Sequence, residues 1–111
     1  MSDSVTPHIP LLQVIHKANK ARRKALLSTL TRQEVNGLCE CILNGIAGGA
    51  KDRLDAQCVK QCSRHRRQLR TLAFNHRLSW KKRRDILHSQ SGSGWFIPLL
   101  GAVLSAVLAT K

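Results

Sequence analysis

The sequence predicts a small all-α protein: a bundle of three to five short helices, a flexible Gly/Ser linker and an apolar C-terminal helix. Apolar residues recur at helical spacing, capping residues precede several of these stretches, and no alternating run indicates a strand. A chain of 111 residues is long enough for one domain with a thin core. We expect four segments: an N-terminal helical segment with a basic block (1–30), a basic helical domain (31–88), a linker (89–94) and an apolar tail (95–111).

The first half of the chain predicts two or three helices. Residues 9–17 form a short helix with Pro10 near its start, and residues 22–30 either continue it or form a second. Thr31 and Glu34 have the spacing of a capping box, which opens a helix over 32–47. Gly48-Gly49 ends that helix. Its apolar stripe consists of Val35, Leu38, Cys39, Ile42, Leu43 and Ile46.

The second half predicts one long helix over 54–74 and a short one over 80–88. At 100° per residue, one side of the long helix is an apolar seam and the rest is basic. Asn75-His76 interrupts it, and Ser79 is a good N-cap for the short helix. The seam contains Leu54, Cys58, Cys62, His65, Leu69 and Leu72.

The tail has 16 uncharged residues over 95–110. As a helix they would span roughly 24 Å, less than the ~30 Å of bilayer hydrocarbon. Gly101, Ser105 and Ala109 recur every fourth residue, a spacing that lets helices approach closely in lipid. The tail is therefore either membrane-active or a core helix packed on the domain. The candidate membrane-active residues are Trp95, Phe96, Ile97, Leu99, Leu100, Val103, Leu104, Val107 and Leu108.

The charge points to a polyanionic partner. The chain has 19 Lys+Arg against 6 Asp+Glu, a net charge of +13, and residues 51–88 hold 12 basic and 3 acidic residues. A solvated surface that only confers solubility usually mixes both signs. Without a base-reading motif, the pattern favours sequence-independent phosphate contacts; Trp80 could stack on bases or anchor the core. The candidate nucleic-acid-binding residues are Lys60, Arg64, Arg66, Arg67, Arg70, Arg77, Lys81, Lys82, Arg83 and Arg84.

Enzymatic function is disfavoured, because the chain is short and carries no GxGxxG, GxxxxGK[ST], HExxH or GxSxG motif. The four cysteines come without a secretory signal, so we expect reduced thiols. Cys39-x-Cys41 and Cys58-x3-Cys62 suggest zinc, but residues two apart on a helix face away from each other. We therefore expect packing rather than a metal or cofactor, with redox linkage through Cys41 as a minor alternative.

Several short motifs resemble a viral family. Arg83-Arg84 and the linker lead into Gly94-Trp95-Phe96-Ile97-Pro98-Leu99-Leu100, which resembles the C-terminal part of the adenovirus core protein X (mu) precursor. Upstream, Cys39-Glu40-Cys41, Leu43-Asn44-Gly45, Arg64-His65-Arg66 and Leu78–Arg83 are similar to core-X-like proteins of adintoviruses and Polinton-type elements. The resemblance covers about residues 9–110.

The resemblance implies a non-enzymatic virion protein that condenses double-stranded DNA, in the virion and the host nucleus. It also implies capsid proteins and a viral cysteine protease as partners, with cleavage between Ser93 and Gly94 in the Gln-x-Gly-x-Gly sequence that begins at Gln90. Two alternatives stay open. One is a membrane-active protein that binds anionic lipid and inserts its tail, and the other is a zinc-stapled interaction domain.

Overall fold

The computed structural model describes residues 6–48, 50–75 and 77–109, which form helices and no strands. This confirms the all-α class, although three to five helices was an undercount. The described residues form two short 3-10 helices, Thr6–His8 and Lys51–Arg53, and seven α-helices. These are α1 (Ile9–Lys17), α2 (Lys20–Ser28), α3 (Arg32–Ala47), α4 (Ala56–Arg64), α5 (Arg66–Phe74), α6 (Trp80–Gln90) and α7 (Phe96–Ala109).

The predicted caps open the expected helices. The Glu34 N–H donates to Thr31 Oγ1 at 3.2 Å and the Thr31 N–H donates to Glu34 Oε1 at 2.9 Å, so the capping box before α3 is confirmed. Ser79 caps α6 by accepting a hydrogen bond from the Lys82 N–H. Gly48 ends α3, whereas Gly49 and His76 lie outside the described residues.

Two further caps settle boundaries that the periodicity left open. Asn19 accepts a hydrogen bond from the Arg22 N–H at 2.8 Å, which makes α2 a separate helix and not a continuation of α1. Asp55 Oδ1 accepts one from the Cys58 N–H at 2.7 Å, so α4 begins at Ala56. In both helices the side-chain oxygen satisfies a first-turn donor that has no partner within the helix.

The single long helix expected over 54–74 is two helices that meet at His65. His65 leaves the helical region (φ −108°, ψ 22°) and serves as the C-cap of α4. The break lets α5 lie along α3 and bury Leu69, Leu72 and Ala73. On α4 only Cys58 is buried, so the apolar seam is real but is divided between two helix directions.

Helix α7 lies in the core of the protein. It packs against α1 and α3, and the 3-10 helix Lys51–Arg53 packs against α7 as well. Trp95 and Phe96 are the two largest fully buried side chains among the described residues. Burial of the last apolar segment against the first and third helices brings the two ends of the described chain into one core.

The tail residues are therefore core residues in this structure. Nearly all of the proposed membrane-active side chains are buried because α1 and α3 cover them; Ile97 is half-buried, and Leu108 is exposed. The small residues Ser105 and Ala109 lie on the exposed side of α7, so they do not form its packing face. The buried members are Trp95, Phe96, Leu99, Leu100, Val103, Leu104 and Val107.

The boundary between the basic domain and the tail is also different from the expected one. Helix α6 continues to Gln90, and Ser91 is buried at its C-cap. The Trp95 indole N–H donates to Gln90 Oε1 at 3.0 Å, which ties the start of the tail to the end of α6. Residues from 1–30, 31–88 and 95–111 share one hydrophobic cluster. Residues 89–90 thus belong to α6, and residues 91–94 form the turn that leads into α7.

Helix α3 is buried on more sides than its stripe predicted, because α7 covers the face opposite α5 and α6. Cys41, placed opposite the stripe by the helical wheel, is fully buried. Gly45 lets α7 approach closely, since a Cβ there would lie 2.9 Å from Leu99 Cγ and overlap its Cδ1.

We expect Gly45→Ala to lower the free energy of unfolding by about 1–3 kcal/mol, because the added methyl group overpacks the contact between α3 and Leu99. Gly101→Ala is the matched control. Its new Cβ would meet His16 Nε2 at 3.1 Å, the end of a side chain that can turn, and the better helix propensity of Ala offsets the contact. Urea unfolding measures both values, and equal losses would contradict the close approach at Gly45.

We also expect a chain ending at residue 93 not to fold. Seven large buried side chains would be lost, each worth about 1.5–3 kcal/mol of burial, and their sum is at least comparable with the total stability of a typical domain. These are Trp95, Phe96, Leu99, Leu100, Val103, Leu104 and Val107. Far-UV circular dichroism and urea titration would show the loss of a cooperative transition. Leu108→Ala, at a side chain 48% exposed, should leave that transition nearly unchanged. A cooperative 1–93 domain would show that α7 is dispensable.

Candidate nucleic-acid interface

Most of the predicted nucleic-acid-binding side chains are exposed to solvent. Their helices follow one another in the fold, since α5 contacts both α4 and α6. Because these helices bury few residues, their charged faces stay available to a ligand. The exposed members are Lys60, Arg64, Arg66, Arg67, Arg70, Arg77, Lys81 and Lys82.

The fold brings together the cations of α2 and α6, two helices that begin 60 residues apart in the sequence, at Lys20 and Trp80. Helix α2 packs against α6, although neither helix buries more than one leucine. The exposed Lys20, Arg22 and Lys24 of α2 therefore lie on a helix next to the one that carries Lys81 and Lys82. Sequence reasoning treated these blocks separately, because no local pattern shows which helices become neighbours.

Two of the six acidic residues are used for capping. Glu34 completes the capping box of α3, and Asp55 caps α4, so both carboxylates lie at helix N-termini where the helix dipole favours negative charge. Carboxylates held there stabilise the helices rather than neutralise the basic faces. The net positive charge consequently remains at the surface.

Arg83 and Arg84 differ from the other candidates, since both are half-buried. Arg83 Nη2 donates to Asn36 Oδ1 at 2.7 Å, which ties α6 to α3. The Arg84 guanidinium lies 5.1 Å from the centroid of the Trp80 ring, a cation–π arrangement. Trp80 packs partly against the core, so its ring supports Arg84 and serves as an anchor. Arg83 is thus mainly a structural tie and is a weaker candidate for DNA contact than expected.

Arg23, another member of the basic N-terminal segment, stabilises the fold through hydrogen bonds. Arg23 Nε donates to the Ile15 carbonyl at 3.2 Å and Arg23 Nη2 donates to the Ala18 carbonyl at 2.6 Å. It therefore satisfies carbonyl groups at the C-terminal end of α1, where a positive charge also complements the helix dipole. Its sequence position gives no signal of this role.

The cysteines of α3 pack in the interior, and all four cysteines of the chain are free. Burial raises the pKa of Cys41 to about 12, with a further rise from neighbouring Cys39. Burial also raises the pKa of Cys39, although the positive charge of Arg83 opposes that rise. A thiol that stays protonated is a poor nucleophile, so the fully buried Cys41 is unsuited to the redox linkage considered for it.

Cys58 and Cys62 lie one turn apart on α4, so their thiols are on the same side of the helix. Burial raises the pKa of both, that of Cys62 to about 12. Cys58 is buried and Cys62 half-buried, in agreement with a packing role. Within residues 6–48, 50–75 and 77–109, no three His, Cys, Asp or Glu side chains are grouped so as to hold a metal ion.

The proposed cleavage site lies in a hydrogen-bonded turn. The Ser93 N–H donates to the Gln90 carbonyl at 2.9 Å, Ser93 Oγ donates to Gln90 Oε1 at 3.1 Å, and the Ser93 carbonyl accepts from the Phe96 N–H. Gly94 lies close to Gln61 of α4. Because a protease cleft takes an extended segment, cleavage between Ser93 and Gly94 requires this turn to open first, and it stays a prediction.

Comparison with protein-family models, curated protein sequences and solved structures finds no match to this chain. Among the described residues, none of the helices has the length and apolarity required to span a bilayer.

The buried thiols predict a loss of stability at alkaline pH. The pKa of Cys41 rises from 9.0 to about 12 on folding, so between these values the unfolded chain releases a proton that the folded chain keeps. The contribution of this thiol to the free energy of unfolding is therefore fully present below about pH 8.5 and is lost as the pH rises through this window. The chain has no tyrosine, so no phenol titrates in that range.

Urea unfolding at about pH 7 and about pH 10, in reducing buffer, measures this loss. The double variant Cys41→Ala with Cys62→Ala should show a smaller difference in the free energy of unfolding between the two pH values. Val103→Ala is the control, since it removes buried methyl groups and keeps all thiols; it should lower stability equally at both pH values. If the double variant lost as much unfolding free energy between the two pH values as the unchanged protein, the alkaline loss would not come from these thiols.

Proposed function

We propose that this protein binds double-stranded DNA without sequence preference and condenses it by neutralising phosphates, with no catalytic activity of its own. The observation that carries the proposal is the packing of α2 against α6, which places exposed cations from two sequence blocks on adjacent helices. Phosphate contacts from several Lys and Arg side chains release condensed counterions, and this release provides affinity that does not depend on base sequence.

The amount of charge supports condensation as well as binding. The described residues measure about 30 Å in each direction, and a DNA duplex carries one negative charge per ~1.7 Å of axis. One protein therefore spans about 18 phosphate charges, and its net charge of +13 would offset about seven tenths of them. Neutralisation on this scale removes most of the repulsion between neighbouring duplex segments.

The resemblance to adenovirus core protein X precursors supports a more specific setting. In that setting the protein is a component of a virus-like particle and meets its DNA in the host nucleus, with capsid proteins and a viral cysteine protease as neighbours. The fold does not favour the membrane-active alternative, because the apolar residues that would enter the bilayer form the core. Inserting them into a bilayer would require α7 to leave α1 and α3.

We expect log K for duplex DNA to fall with log salt concentration at a slope of about −5 to −7, which corresponds to six to eight phosphate contacts. Lys81→Gln with Lys82→Gln, and separately Arg22→Gln with Lys24→Gln, should each make the slope shallower by about 2. The losses should be equal on two duplexes of unrelated sequence. Fluorescence anisotropy over a salt series measures the slopes, and light scattering of long DNA measures condensation.

The control removes two cations elsewhere. Lys51→Gln with Arg53→Gln changes the net charge equally, but these residues pack at the C-terminal end of α3. That end lies about 18 Å along the helix from Asn36, where Arg83 of α6 is held, and the Debye length at 0.1 M salt is ~10 Å. Lys51 lines a groove with Arg66 and Arg70 of α5, so a small contribution to DNA binding is expected from this pair. The control should therefore change the slope clearly less than either pair on α2 or α6. Equal effects of all three pairs, or loss on one duplex only, would overturn the proposed surface.

A further inference from the structure

The break between α4 and α5 leaves an open groove of about 520 Å³ on the surface. Its walls come from both of these helices, from the C-terminal end of α3 and from the 3-10 helix Lys51–Arg53. Ile46, Leu54, Leu69 and Cys62 provide apolar surface inside it. The volume is in the range of ligand-binding pockets, and the groove is open to solvent.

Two large apolar side chains in this groove have half of their surface in water. Val59 is 48% exposed and Phe74 is 50% exposed, and they account for two of the four large exposed hydrophobic residues in the part of the chain that the structure describes. Exposed apolar side chains that share a groove mark an interaction site more often than scattered ones do. An aromatic side chain at the edge of such a groove is a typical anchor for a partner.

Charge complementarity indicates the chemistry of the occupant. Lys51, Arg66 and Arg70 line the same groove, against one carboxylate, that of Asp52. A second copy of this chain would bring further cations to a rim that already repels them, and each copy carries a net charge of +13. An acidic partner is attracted by the same rim. A groove between helices with apolar walls is also a common receptor for an amphipathic helix.

We propose that this groove binds an acidic amphipathic helix of another protein, with apolar side chains packed on Val59 and Phe74 and carboxylates paired with Arg66 and Arg70. The proposal stands on the shape and charge of the groove and does not depend on DNA binding.

The test uses the full chain without DNA and a fluorescein-labelled peptide of about 15 residues, roughly 22 Å long as a helix. The peptide carries Leu at i, i+3, i+4 and i+7 and Glu at most other positions. Two matched peptides replace every Glu by Gln or every Leu by Ala. Anisotropy should show saturable binding of the first peptide at micromolar concentrations and at least tenfold weaker binding of the other two.

Matched protein variants locate the binding. Phe74→Ser should lower the affinity for the first peptide at least tenfold, and so should Arg66→Gln with Arg70→Gln. Leu108→Ser removes an equally exposed apolar side chain outside the groove, and Arg22→Gln with Lys24→Gln removes two cations on α2; both should change the affinity less than twofold. Thermal unfolding by circular dichroism checks that each variant is folded. Bound peptide should also slow the alkylation of half-buried Cys62, which lines the groove.

Several outcomes would overturn the proposal. They are no binding below about 1 mM, equal binding of the Ala peptide, and equal weakening by the control variants. Sedimentation that shows a dimer abolished by Phe74→Ser would make a second copy the occupant. Binding to phosphatidylserine vesicles that Phe74→Ser abolishes and Leu108→Ser does not would make a membrane surface the occupant.

Discussion

Burial of α7 against α1 and α3 is the contact on which the rest of the structure depends. The segment has no charged residue between Trp95 and Thr110, so its surface gains free energy only where water is excluded. The other helices carry most of the charge and bury few side chains each; α2, α4 and α6 bury one apiece. Such helices cannot build a core among themselves. They need an apolar helix to pack around, and α3 with α7 provides it.

This arrangement separates the apolar and the basic parts of the chain in space. The core takes the apolar side chains of α3 and α7, while α2, α4, α5 and α6 keep most of their cations in water. Like charges on adjacent helices repel, and the packing of the core has to offset that repulsion. A polyanion that binds these faces would remove the repulsion, which links the stability of the fold to the proposed ligand.

Several cationic side chains hold parts of the fold together, so not every Lys or Arg near the surface can contact a ligand. Arg23 caps α1, Arg83 holds α6 on α3 through Asn36, and Arg84 stacks on Trp80. Their positive charges still contribute to the field around the protein, but their side chains are not free to follow a phosphate backbone. The cations that remain exposed on α2, α5 and α6 are the ones that can adjust to a ligand. A charge count cannot make this distinction, because it depends on the hydrogen-bond partners of each guanidinium.

The sequence by itself determined the helical class, the capping box of Thr31 and Glu34, the N-cap at Ser79 and the bounds of α1 and α3, since these depend on neighbours within a few residues. It also identified most of the exposed cations of the candidate surface. Only the tertiary structure decided that α2 lies beside α6, that the helix over 54–74 breaks at His65, and that the tail is core. An uncharged helix without a polar face has the same local pattern in lipid and in a protein interior. Which one it enters depends on whether distant helices offer it an apolar surface, as α1 and α3 do here.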